Sequence, residues 1–106
     1  MSVTEARTAG PAKSAGATGA AFAVEQAWQL NPQVALRDES FGALAYHYGN
    51  RRLVFLKSRT LVDLVTSLDQ YPSAAAAIAA VVPEGQHESY RRALARLAAS
   101  EVIDVR

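Results

Sequence analysis

The 106-residue sequence contains no cysteine, one methionine and one tryptophan. Without cysteine, the chain forms no disulfide, no thiolate metal site and no cysteine nucleophile. The only two histidines, His47 and His87, lie far apart in the sequence. A metal site needs roughly three or four convergent donors. The sequence therefore predicts neither a metal nor a cofactor.

An excess of charge of one sign is also missing, because 11 basic residues balance 10 acidic ones to a formal net charge of +1. A near-neutral chain has no bulk attraction for the phosphate backbone of nucleic acid. No apolar run approaches the roughly 20 residues that span a bilayer. The N-terminus lacks the pattern of a secretory signal. We therefore expect a cytoplasmic protein with no membrane and no nucleic-acid partner.

No side-chain pattern indicates catalysis. The glycines match neither phosphate loops nor dinucleotide-binding loops, and no serine lies in the context of a nucleophile elbow. The adjacent carboxylates Asp38 and Glu39 fall in a predicted loop, where such side chains usually face water. The sequence predicts a binding protein rather than an enzyme.

Residues 1–23 consist mainly of alanine, glycine, serine and threonine, with very few large apolar side chains. Such a segment cannot bury enough surface to offset the loss of backbone entropy on folding. We predict a disordered N-terminal tail over 1–23 and one folded domain over 24–106. A domain of that size supports its own core without covalent staples.

The stretch from Trp28 to Ser58 predicts three short strands in an antiparallel meander. The predicted strands are 34–37, 41–48 and 52–57. Alternation along the second strand places Ala43, Ala45 and His47 on one face and Leu44, Tyr46 and Tyr48 on the other. Gly49-Asn50 predicts a two-residue hairpin turn with positive backbone torsions. The third strand is apolar on both faces, so we expect both faces to be covered.

Helical periodicity replaces the strand pattern after Ser58. Apolar residues recur at helical spacing from Leu61 to Leu68, and Pro72 marks the end of this first helix. Either Ser58 or Thr60 is expected to cap it, the latter as a capping box with Asp63.

Two further helices are predicted, over 74–82 after a Ser73 cap and over 87–99. Apolar residues of 87–99 recur on one face at Tyr90, Ala93, Leu94 and Leu97. The pair Val102-Ile103 is expected to pack back on the core as a short extended segment. The sequence therefore predicts an α+β domain in which the strands come first.

Two features favour a peptide partner. The third predicted strand is an edge of the meander, and natural proteins either blunt such edges or use them to add a partner's strand. Helix 87–99 would form one wall of a groove beside this edge, with Tyr90, Leu94 and Ala98 as its lining. Basic residues cluster on the same elements: Arg51, Arg52, Lys57, Arg59, Arg91, Arg92 and Arg96. They form either a solvated face or a basic rim for an acidic peptide.

Three short motifs, in this order and spacing, carry a family resemblance. They are Trp28-x-Leu30-x-Pro32-x-Val34-x-Leu36-Arg37, Phe41-Gly42-x-Leu44-x-Tyr46 and Leu53-x-Phe55-Leu56-Lys57-Ser58. They resemble the small peptide-recognition proteins that serve radical-SAM maturases, best known from pyrroloquinoline quinone biosynthesis. Within that group they are most similar to the peptide chaperones of the mycofactocin system. The resemblance covers about residues 25–106 and does not extend to the tail.

The resemblance implies a non-catalytic, winged-helix-like domain of three strands followed by three helices, known as a RiPP recognition element. Such a domain binds the leader of a short ribosomally made precursor peptide, which adds as a strand beside the third strand and rests against the third helix. It then presents the peptide to a radical-SAM maturase, which decarboxylates and cross-links a C-terminal Val-Tyr. The peptide-binding residues implied by position are Arg52, Leu53, Val54, Phe55, Leu56, Lys57, Tyr90, Arg91, Leu94 and Ala98.

Two alternatives remain open. A winged-helix DNA-binding protein uses the same elements, although helix 87–99 carries three arginines and no asparagine or glutamine, and the chain is near neutral. A structural homodimer would instead pair two edge strands across a two-fold axis. The expected oligomeric state is a monomer or a weak edge-strand dimer.

Overall fold

The computed structural model describes residues 22–106, so nearly all of the predicted tail lies outside the described residues. The strands are β1 (Trp28–Leu30), β2 (Val34–Glu39), β3 (Gly42–His47), β4 (Leu53–Leu56) and β5 (Ile103–Val105). The helices are α1 (Arg59–Ser67), α2 (Ala74–Val81) and α3 (His87–Ala99), with a short 3₁₀ turn at Leu68–Gln70 after α1. Over residues 22–106, no helix combines the length and apolar character needed to cross a membrane.

Strands β2, β3 and β4 form an antiparallel sheet in chain order, with β4 at one edge. The predicted α+β class, three strands followed by three helices, is therefore confirmed. The predicted face of β3 is also confirmed, because Ala43, Ala45 and His47 are all buried. The strand predicted over 34–37 continues to Glu39, which pairs with Gly42 across a tight turn.

The predicted two-residue turn at Gly49-Asn50 is wrong. Positive φ occurs at Arg51 (64°) and at neither of the two predicted positions. His47 N donates to Arg52 O at 2.9 Å, so a longer loop separates the strands. The physical reason is that His47 Nδ1 accepts the backbone N–H groups of Gly49 and Asn50, at 3.0 and 3.1 Å. These bonds fold the loop around a buried side chain.

Replacing His47 by phenylalanine tests this role. The ring volume is largely kept, but two part-buried N–H groups lose their acceptor. We expect the free energy of unfolding to fall by about 2 kcal/mol, measured by urea denaturation. Tyr48→Phe, at the exposed neighbouring aromatic, should change it by less than about 0.5 kcal/mol. Equal effects of the two substitutions would contradict the proposed role of His47.

The N-terminal caps of α1 and α2 come from serine. Ser58 Oγ accepts Leu61 N at 2.9 Å, so α1 begins before Thr60 and the capping box predicted with Asp63 is wrong. Ser73 caps α2 as predicted. The predicted bounds of the third helix, 87–99, are those of α3.

The predicted extended segment at Val102-Ile103 leads into β5, which pairs antiparallel with β1. Strand β1 was not predicted, because three residues carry little periodic signal. Near β1, the ring centroid of Phe22 lies 5.1 Å from that of Trp28. Trp28 Nε1 also donates to Ala23 O at 2.9 Å.

The core lies between the inner face of the sheet and the three helices. Its largest fully buried side chains are Trp28, Leu56, Leu64, Val65, Leu68, Leu94, Val102 and Ile103. Gly42 brings the start of β3 against the end of β4 with a φ of 147°. A Cβ at this position would overlap the backbone oxygen of Leu56, so this close approach requires glycine.

Candidate functional site

The free edge of β4 is the first element of the candidate site. Strand β4 pairs with β3 on one side and ends the sheet on the other. Hydrogen-bonded and non-hydrogen-bonded pairs alternate along antiparallel strands. The bond from His47 N to Arg52 O therefore places Leu53 and Phe55 in non-hydrogen-bonded pairs with β3. Their N–H and C=O groups point outward, where a further strand would pair.

Two hydrogen bonds link the residues that flank β4 to α3 and to Ser100, the residue after it. Tyr90 Oη lies 2.9 Å from Ser58 Oγ, just beyond the C-terminal end of β4. Near the other end, Asn50 Nδ2 donates to Ser100 O at 3.4 Å. The helix therefore runs antiparallel to the strand. We call β4 with its flanking residues and the neighbouring side of α3 (52–57 and 90–98) the edge site.

The β4 residues of the edge site alternate in exposure. Leu53 and Phe55 are each 59% exposed, while Val54 is half-buried against the core and Leu56 is fully buried. The expectation that both faces of this strand are covered is therefore wrong. The described part of the chain forms only one layer of helices, and that layer packs on the Val54–Leu56 face.

The α3 residues of the edge site differ in accessibility. Leu94 is 0% exposed and Ala98 is 3% exposed, so both pack into the core behind the helix wall. Tyr90 is half-buried and Arg91 is exposed. On α3, only Tyr90 and Arg91 among the predicted lining residues are accessible to a guest peptide in this conformation. Leu94 and Ala98 are part of the core because they lie on the same face of the helix as Leu97.

Arg91 already has a partner on its own helix. Its Nε donates to Glu88 Oε1 at 3.0 Å, and Arg92 Nε lies 3.3 Å from the same carboxylate. The hydrogen bond from Arg91 lowers the pKa of Glu88, and Glu88 in turn raises the pKa of Arg91. Both groups are on the surface, so this pairing is weak and screened by solvent.

Of the remaining cations of the predicted basic rim, Arg96 is exposed on α3, and the other four lie before or after β4 in the sequence. Arg59 lies 3.6 Å from Asp38. Within residues 22–106, Arg51, Arg52 and Lys57 form no salt bridge with a described carboxylate. These cations precede and follow β4, so positive charge lies at both ends of the free edge.

The sheet also carries an exposed apolar face, which the sequence did not predict as a binding surface. We call it the outer sheet face, made of Phe41, Leu44, Tyr46, Tyr48, Leu53 and Phe55. The ring centroids of Phe41 and Phe55 are 5.7 Å apart and those of Tyr46 and Tyr48 are 5.1 Å apart. A shallow cavity of about 380 Å³ lies at one end, beside Lys57. The signal available in the sequence was the alternation of side chains along β3, which places Leu44 and Tyr46 on the face opposite the buried one.

The two histidines both have structural contacts. His47 is bound by the loop that follows β3, and His87 Nε2 lies 2.8 Å from Val82 O, which joins the start of α3 to the end of α2. In the part of the chain that the structure describes, no three metal-ligating side chains converge. The arrangement offers backbone pairing and apolar contact.

Comparison with known proteins assigns the family. The model of the peptide chaperone MftB family matches residues 27–104. The peptide chaperone MftB of Mycobacterium ulcerans is 45% identical over 94 residues, which cover 88% of this chain and 85% of that protein. Its counterpart from Mycolicibacterium smegmatis is 46% identical over 83 residues, 77% of this chain and 81% of that protein. No solved structure matches, so the winged-helix-like label stays a prediction. Because the family match runs from β1 into β5, the chain belongs to the MftB peptide chaperone family.

Proposed function

We propose that this protein binds the leader of a short precursor peptide as an added strand at the edge site. It then delivers the peptide to a radical-SAM maturase in mycofactocin biosynthesis and performs no catalysis itself. The observation that carries this proposal is the outward direction of the Leu53 and Phe55 backbone groups beside α3. Membership of a peptide chaperone family supports it.

The geometry defines what each part of the site would contribute. Backbone pairing with Leu53 and Phe55 gives affinity that tolerates changes in the guest sequence. Side chains of the guest alternate between the α3 side and the outer sheet face. The cations at both ends of β4, Arg51, Arg52 and Lys57, favour a guest that carries carboxylates near the ends of its bound segment.

Isothermal titration with a synthetic precursor peptide tests the function. We expect saturable one-to-one binding with a Kd in the micromolar range or below, because ordering the guest offsets part of the contact energy. A scrambled peptide of the same composition is the control and should not bind. Equal binding of both peptides would contradict specific leader recognition.

Single backbone N-methyl groups along the same peptide test strand addition. Methylation at every second position of the bound segment removes an N–H that pairs with Leu53 or Phe55. We expect about a tenfold loss of affinity at those positions and little change at the positions between them. A profile without this alternation would contradict pairing at the β4 edge.

Two further measurements on the same protein sample distinguish this proposal from the DNA-binding and homodimer alternatives. If the protein binds duplex DNA at moderate salt and the binding depends on the DNA sequence, the result favours a winged-helix DNA-binding protein over a chaperone. A dimer that persists on dilution and excludes the peptide would favour pairing of two β4 edges.

A further inference from the structure

We propose that the outer sheet face is the surface through which the maturase binds this chaperone. The matching surface of the maturase would be apolar and bordered by carboxylates. This inference rests on the proposed function. It assigns the second partner to the face of the sheet rather than to its edge, and Leu53 and Phe55 belong to both surfaces. The peptide uses the backbone edge of β4, whereas the maturase uses side chains that stand on the sheet.

The apolar character of this face is the first argument. Phe41 is 41% exposed, Tyr48 is 60% exposed, and Leu53 and Phe55 are each 59% exposed. Of the five exposed large hydrophobic residues among residues 22–106, only Val105 lies elsewhere. Scattered apolar side chains on a surface need no explanation, but a contiguous patch marks an interaction site.

The patch is contiguous across two strands and their loops. Leu53 lies opposite Tyr46 and Phe55 lies opposite Leu44, in non-hydrogen-bonded pairs whose side chains come closest. The edge-to-face contact of Phe41 with Phe55 extends it at one end. Aromatic residues of this kind supply a large contact area at low cost in conformational entropy.

The charges around the patch indicate what kind of partner binds it. Lys57 borders the patch at the Phe55 end, where it lines the shallow cavity with Phe41 and Phe55. The carboxylate on the same face, Glu39, is bonded to Arg37 at 2.9 Å. A second copy of the chain would bring a patch with the same cation at its Phe55 end. A partner with carboxylates around an apolar centre is the better complement.

The two proposed surfaces are compatible in one complex. A guest strand beside β4 would widen the sheet without covering Phe41 or Tyr48, which lie in the connections before and after β3. The loaded chaperone would still present these aromatic side chains. The maturase could therefore bind while the peptide remains on the edge.

The test uses a double substitution, Phe41→Ser with Tyr48→Ser, in the full chain. Neither residue belongs to the edge site. We expect the Kd for the immobilised mycofactocin radical-SAM maturase to rise at least tenfold, and the Kd for the precursor peptide to stay within about twofold. Val105→Ser, at the exposed apolar residue outside the patch, is the matched control and should leave both values unchanged. A thermal melt of each variant verifies that it is folded.

Each other outcome overturns the inference in a distinguishable way. If the folded double variant binds the maturase as tightly as the unsubstituted chain, the surface is wrong and the proposed function stands. If the unsubstituted chain does not bind the maturase, with or without peptide, delivery to the maturase fails as well. If sedimentation reveals a dimer that the double substitution abolishes, the face binds a second copy instead.

Discussion

The substitution Leu94→Asp is expected to destabilise the domain strongly. Leu94 is fully buried at the centre of α3. Removing a buried leucine side chain costs about 3–5 kcal/mol, and burying a carboxylate without a partner adds to that loss. Domains of this size are stable by only about 5–15 kcal/mol. In thermal melts followed by circular dichroism, we expect the midpoint to fall by about 15 °C or more.

Ser89→Asp is the matched control, since Ser89 lies on the exposed side of the first turn of the same helix. A carboxylate there interacts favourably with the helix dipole, so we expect a shift of the midpoint of only a few degrees. A folded Leu94→Asp variant with an unchanged midpoint would contradict the buried position of Leu94. Loss of peptide binding in that variant reports unfolding, so Tyr90 is the better residue for probing the α3 wall.

The second large effect is expected at Gly42. An alanine there combines a positive φ, which side chains rarely adopt, with overlap between its Cβ and the Leu56 carbonyl oxygen. The Leu56 carbonyl oxygen belongs to the backbone, so it cannot move away from the added Cβ as a flexible side chain would. We therefore expect Gly42→Ala to lower the free energy of unfolding by about 3 kcal/mol, measured by urea denaturation. Peptide affinity should also fall, because the end of β4 must shift.

Gly85→Ala separates the effect of the positive φ from the effect of the Cβ overlap. Gly85 also has a positive φ, 91°, but a Cβ added there meets nothing within 4 Å. We expect a loss of about 1 kcal/mol from the backbone conformation alone. Equal losses at the two glycines would mean that the contact with Leu56 is not the cause.

Local signals predicted the helices well and the loops less well. The bounds of α3 follow from the breaking residues at 83–85 and from apolar periodicity, both of which act within a few residues. The loop before β4 depends on His47, whose buried ring supplies acceptors that no turn propensity describes. Strand β1 was missed because it is only three residues long and its partner, β5, lies at the other end of the sequence.

The candidate site was predicted in part for a similar reason. Periodicity placed Leu94 and Ala98 on one face of a helix, but a helix beside a sheet edge borders both the core and a groove. Spacing alone does not determine which of the two a residue faces. Likewise, Leu53 and Phe55 look like core residues in the sequence, and only the single layer of helices leaves them exposed.

The hydrogen bonds that link α3 and Ser100 to the residues flanking β4 have a consequence for guest selection. With Tyr90 held to Ser58 and Asn50 to Ser100, the helix cannot swing away from the strand without breaking one of them. A guest with small residues toward α3 keeps both bonds. A bulky residue there would cost about 1 kcal/mol, or roughly fivefold in affinity. The fixed gap between β4 and α3 would therefore favour precursors with small side chains at alternate positions, independently of their charge.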